Sequence, residues 1–177
     1  EHRLELMDRY LSEFERINID SSIAIQPSFR EPRHLTVNYA AGEGEESKSY
    51  LTVNWVLTEN CEPEGSLGLQ ILGHILLGTP ASPLRKALID SGLGEDLAGM
   101  GMEAELRQFV FSTGLKGINS NDAGKVEALI EQTLNRLAEE GIDPDMVAAS
   151  LNTVEFRLRE QNTGSFPQGL VMMLTAL

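Results

Sequence analysis

The 177-residue chain is the length of a single domain, at roughly 150 residues per domain, with room for an appended element. It sets 27 Asp and Glu against 14 Lys and Arg, and the resulting net charge of -13 works against nucleic acid or an anionic membrane surface as a partner. Its longest apolar runs, such as Ile75 to Leu77 and Leu170 to Leu174, fall far short of the ~20 residues a membrane span requires, so a soluble protein of cytoplasm or organelle matrix is expected.

Leu4, Met7, Leu11 and Phe14, with Tyr10 and Ile17 alongside, form the narrow stripe of an amphipathic helix with no capping residue in front of it. That helix, together with an ending inside the apolar run from Leu170, is read as a piece of a longer polypeptide. From Pro32 the period becomes two. Leu35, Val37 and Tyr39 alternate with Thr36 and Asn38, and Leu51, Val53, Trp55 and Leu57 alternate with Thr52 and Asn54, which predicts two antiparallel strands around an exposed loop at Ala41 to Lys48.

Leu67, Leu69, Ile71, Leu72, Ile75, Leu76 and Leu77 are apolar around most of a helix, so a largely buried helix is expected, ended by Gly78. Ser82 and Pro83 supply a capping hydroxyl and a pre-set φ for a short helix closed by Gly92. A glycine-rich segment, Gly92 to Gly101, leads to a strand over Gln108 to Leu115, with a start that could reach back to Met102. Two helices follow. One opens at Asn121 and Asp122 and closes at Gly141; the other opens at Asp143 and Pro144 with Val147, Leu151, Val154 and Leu158 on its stripe. This order fits an α+β layer, with helices on one face of a largely antiparallel sheet.

The residues carry no catalytic constellation of their own. His2, His34 and His74 lack the helical pairing of a zinc site, and for His74 a packed histidine is the plainer reading. Cys61 excludes an internal disulfide framework, and the carboxylates around it would raise a thiol pKa. No serine lies in G-x-S-x-G, the glycines from Gly92 to Gly101 match no dinucleotide fingerprint, and Gly124 and Lys125 lack the earlier glycine of a P-loop. Glu43, Glu45 and Glu46 read as a solvated loop.

Three separated stretches, LLGTPASPLRKALIDSGL at Leu76 to Leu93, FSTGLKGI at Phe111 to Ile118 and ASLNTVEFRLREQNTGSFPQG at Ala149 to Gly169, resemble the presequence protease branch of the pitrilysin (insulinase, inverzincin) metallopeptidases. The resemblance is to the noncatalytic second domain of the amino-terminal half. It implies a parent zinc metalloendopeptidase of four homologous α+β domains enclosing unfolded peptides, with the zinc bound by an H-x-x-E-H helix of the first domain. That motif is absent here, so the resemblance assigns this chain no catalytic residue, no metal ligand and no cofactor. It implies that Leu67 to Leu77 replaces the zinc helix for packing. It also implies residues 1–20 as a helix or linker from a preceding domain, 21–160 as the α+β domain and 161–177 as the start of a helical linker. Expected partners are peptide substrates and other domains of the same polypeptide. The alternative is a purely structural or assembly domain of an inactive subunit.

The candidate substrate-binding segment is Leu97 to Glu105. Gly99 and Gly101 would let a second backbone approach, Leu97, Met100 and Met102 offer apolar contacts, and Glu103 and Glu105 favour basic peptides. In relatives of the insulin-degrading type, a strand in the corresponding position anchors the substrate's amino-terminal part. The alternative for this segment is a glycine-rich connection between helix and sheet.

Overall fold

The computed structural model describes residues 2–40, 48–60, 62–160 and 163–176. The elements run α1 (His2–Leu11), β1 (Lys48–Glu59), α2 (Pro63–Leu77), α3 (Pro83–Asp90), β2 (Asp96–Glu103), β3 (Gln108–Asn119), a 3-10 turn (Ser120–Asp122), α4 (Ala123–Glu140), α5 (Pro144–Glu160) and α6 (Gln168–Ala176). The predicted loop from Ala41 and the thiol of Cys61 fall outside the described residues, apart from Lys48, which begins β1.

The three strands form one antiparallel sheet in the order β1-β3-β2. Alternation in β1 turns Leu51, Val53, Trp55 and Leu57 to one face, where Leu51 lies opposite Leu115, Val53 opposite Thr113 and Trp55 opposite Phe111. The helices cover that face. Leu76 of α2, Leu84 and Leu88 of α3, Phe111, Leu115 and Ile118 of β3, and Val126 and Ile130 of α4 make the central apolar cluster. β3, flanked on both sides, is buried at most of its positions, as a central strand must be. The expected α+β class is what the chain adopts.

Several local expectations are corrected. Residues 34–39 are irregular and belong to no ladder, so the first predicted strand is not formed: the period of two is present, but the pairing partner is not engaged. α1 ends at Leu11, leaving Phe14 and Ile17 outside it, and it buries no residue. In α2 only Ile75 and Leu76 are fully buried, and the first half, Leu67 included, faces outward. On α5 the docked face is set by Ser150 and Val154, which are buried, while Leu151 and Leu158 stay exposed. The connector reading of the segment from Gly92 fails over its second half, which is strand β2 in a hairpin with β3.

Two turn residues work differently from their sequence signals. Gly78 does end α2, but at φ -69. It is glycine for space, because a Cβ there would stand 2.5 Å from Cδ2 of His74. Ser82 precedes α3 without a side-chain capping bond. Its hydroxyl turns back instead, accepting from the Thr79 amide at 3.0 Å and donating to the His74 carbonyl at 3.3 Å.

Candidate edge-strand site

β2 forms one edge of the sheet, with β3 as its hydrogen-bonded neighbour. Its ladder is interrupted. Ala98 lies opposite Gly114 and Gly101 opposite Ser112, so Gly99 and Met100 together face the single residue Thr113. This two-against-one arrangement is a β-bulge, which bends the strand and sharpens its twist.

The bulge explains both glycines. Gly99 has φ +91 and Gly101 φ +73, a backbone region that side chains disfavour. At Gly99 a Cβ would also lie 2.7 Å from the Ser112 carbonyl carbon and oxygen. The close approach at Gly99 is therefore to the chain's own β3, and the expectation that this glycine makes room for a second peptide is corrected. Gly101 has open space: a Cβ there would meet only Leu77 Cδ1, at 3.9 Å.

The seven predicted residues divide between two environments. Leu97 and Met102 pack against the central cluster and are not displayed. Met102 lies against α2, so close to Gly73 that a Cβ there would meet its Cβ at 2.8 Å. Glu103 is half-buried and uses its carboxylate to accept the Glu105 amide at 2.9 Å, fixing the hairpin turn. Gly99, Glu105 and above all Met100, 79% exposed, face outward. What the edge presents is one flexible apolar side chain on a bulge, with backbone on either side of it and a carboxylate at the turn.

Sequence reasoning missed the residues that hold this edge in place. Gly73, a glycine inside an apolar helix, is the signal of a close approach that could have found the α2–β2 contact. The turn is tied to β1 by Asn60, whose amide donates to the Arg107 carbonyl at 2.8 Å and whose side chain donates to the Ala104 carbonyl. Arg107 adds an ion pair with Glu59 at 3.2 Å. At the other end of β2, Asp96 pairs with Lys116 at 2.9 Å. The hydrogen bond from Lys116 holds the Asp96 carboxyl below its usual range and raises the lysine in return.

Behind the edge, α2 meets α5 through His74, whose Nδ1 is 3.0 Å from Ser150 Oγ. Burial, and secondarily the Arg157 charge, lowers the His74 pKa. Among the described residues no three His, Cys, Asp or Glu side chains converge as metal ligands. The single histidine of α2 is committed to Ser150, so the residues present do not fit a zinc centre.

Residues 1–154 match the family described as the Peptidase M16 inactive domain. The chain belongs to that family. Over 181 residues it is 49% identical to presequence protease 1, chloroplastic/mitochondrial, of Arabidopsis thaliana, a match covering 99% of this chain and 17% of that one. Protein HypA of Clostridium perfringens is 35% identical across 100% of this chain and 18% of its own. The mitochondrial presequence protease of Xenopus tropicalis is 32% identical across 92% of this chain and 16% of its own. This M16 inactive domain therefore spans less than a fifth of the length of these relatives. A solved structure described as a zinc protease, from Bordetella pertussis Tohama I, shares the fold with a TM-score of 0.55 at 19% identity, over 76% of this chain and 71% of that one. The resemblance read from the three motifs is thereby borne out at the level of family and fold. No helix among the described residues is long and apolar enough to cross a membrane.

Proposed function

We propose that this chain is a noncatalytic domain of a zinc metalloendopeptidase that degrades unfolded peptides, forming part of the chamber wall and holding an extended stretch of substrate on the β2 edge. The zinc and its ligands belong to the first domain of the parent, outside this chain. Residues 1–20 and 161–177 join the domain to its neighbours in the same polypeptide. An organelle is its proposed place of work, a reading supported by relatives named as chloroplastic or mitochondrial presequence proteases.

The observation that carries the reading is the edge of β2, which has no second strand beside it among the described residues, with Met100 standing out from its bulge. An extended peptide can add to such an edge through main-chain hydrogen bonds, which are indifferent to sequence, while a flexible thioether adapts to varied side chains. Glu105 and the net charge of -13 favour peptides with basic residues. The competing reading is a purely structural or assembly domain. It is supported by the bulge itself, a common device for keeping an edge from pairing, and by the inward orientation of Leu97 and Met102.

Met100→Asp in the full-length enzyme separates the two. Met100 is so exposed that its replacement leaves the core intact. The peptide-binding reading expects KM to rise for long peptides while short ones that reach only the zinc cleft are unaffected. Equal effects on both lengths would remove the edge from substrate binding, and no effect on either would favour the structural reading.

A further inference from the structure

The stretch from Gln26 to Arg33 curls around an open depression of about 670 Å³ lined by its own residues. Its start is held to β3. The Gln26 amide donates to Gln108 Oε1 at 2.6 Å, Gln108 Nε2 donates back to the Gln26 carbonyl at 3.3 Å, and Arg107 donates to the carbonyl of Ile23. Gln26 Nε2 also donates to the Pro27 carbonyl at 3.0 Å. Pro27 and Pro32 stand near the two ends of the curl, and their rings fix φ there, so holding the shape costs less chain entropy than in an ordinary loop.

The lining combines two chemistries. Pro27, Phe29 and Pro32 are apolar, while Ser28, Arg30 and Arg33 carry hydrogen-bond donors. The Arg33 guanidinium lies over the Phe29 ring, its Cζ 4.3 Å from the ring centroid. Stacking of this kind occupies the face of the guanidinium and leaves its edge, with the N–H fork, open to an acceptor. Among the described residues no hydrogen bond or ion pair engages the side chains of Ser28, Arg30 or Arg33, and Glu31, on the same loop, pairs with neither arginine. The domain's charge of -13 repels an anion at long range, so whatever this loop holds is held by short contacts and not by the general field. A bare ion would leave most of the depression empty. Its size is that of a small-molecule site, and its part-apolar lining matches a carboxylate with an apolar group beside it.

We propose that the loop from Gln26 to Arg33 binds a carboxylate carried next to an apolar side chain, as at the end of a peptide or at an acidic residue with an apolar neighbour. Arg30 and Arg33 take the carboxylate oxygens, Ser28 offers its hydroxyl, and Phe29 with the two prolines receives the apolar group. The site lies outside β2, and the inference stands whether or not that edge holds peptides.

Fluorescence anisotropy on the full-length protein, treated with a chelator so that no probe is cut, tests it. Three labelled peptides share one uncharged sequence ending in phenylalanine: one with a terminal carboxylate, one amidated, and one amidated with glutamate before the phenylalanine. A carboxylate probe is expected to bind about tenfold more tightly than the plain amide. Arg30→Gln with Arg33→Gln should bring it down to the amide's level and leave the amide's own affinity unchanged. A tighter terminal carboxylate assigns the loop to a peptide end, and a tighter glutamate assigns it to an acidic side chain. In the unmodified protein the tighter probe should also slow hydrogen exchange at residues 28–31, where the amide does not. That measurement needs no substitution and decides even if the variant failed to fold. Equal binding of all three probes, a carboxylate preference that survives the double substitution, or exchange at residues 28–31 unchanged by the tighter probe would each overturn the inference.

Discussion

Ser82 shows how much a single buried hydroxyl can hold. It is 2% exposed, takes the Thr79 amide and donates to the His74 carbonyl, so it fastens the end of α2 to the start of α3. Ser82→Ala leaves a turn amide without its acceptor, and a loss of about 1–2 kcal/mol is expected in urea unfolding at unchanged m-value. A loss near zero would mean that water replaces the hydroxyl. His74, one turn before Gly78, gives a pH signature. Burial and Arg157 put its folded pKa below the ordinary 6.5, so between the two values the unfolded chain binds more protons than the folded one. Its contribution to stability is therefore full above 6.5 and is lost as pH falls toward the lowered value. His74→Gln should flatten that part of the stability profile while keeping a polar partner for Ser150. A slope unchanged by the substitution would move the titration to another group.

The bulge in β2 makes a contrast between two neighbouring glycines. Gly99→Ala meets both a positive φ and the Ser112 backbone, whereas Gly101→Ala meets a positive φ in open space. Strain of this kind costs about 1–3 kcal/mol, so Gly101→Ala should fall within that range and Gly99→Ala clearly above it in the same unfolding assay. Equal costs would mean that β3 yields at Ser112. The bulge also explains why β2 could not be read as a strand. Leu97 and Met102 both face the core though they are five positions apart, because the extra residue inverts the period of two between them. Gly117 does the same in β3, where Leu115 and Ile118 are both buried. By contrast β1 and the helices α2 to α5 were legible from period and punctuation: the irregularity within β1, where Leu57 and Thr58 together face Phe109, falls at its end, after the alternation from Leu51 to Leu57 is complete. The predicted strand at residues 35–39 had the right pattern, yet a pattern records which side chains want cover and not whether a neighbouring strand supplies it. For the candidate site, the sequence marked the segment and named Met100 and Met102 alike. It did not separate outward from inward residues, because that sorting depends on the bulge.

Across the whole molecule, charge and apolar exposure point the same way. On the proposed function, the net charge of -13 on this domain means that its association with lysine- and arginine-rich peptides should slow as ionic strength rises, while neutral peptides of equal length change little. Parallel salt dependences for the two would exclude steering by this surface. Leu4, Met7 and Leu11 on α1, Phe156 on α5 and Met172, Met173 and Leu174 on α6 are exposed apolar side chains of the kind that a neighbouring domain would cover. The strand order β1-β3-β2 also has a kinetic consequence. β2 and β3 are joined by a four-residue turn, Ala104 to Arg107, whereas β1 reaches β3 across α2, α3 and β2. Loop closure costs more entropy over the longer separation, so the hairpin is placed to form early and β1 to dock late. Trimming Phe111→Leu in the hairpin should slow refolding, and Val53→Ala in β1 should chiefly hasten unfolding, as a stopped-flow chevron would resolve. Should Val53→Ala instead slow refolding as strongly as Phe111→Leu, the rate-limiting step would already contain the long-range pairing, and the nascent sheet would assemble around its central strand from both sides at once.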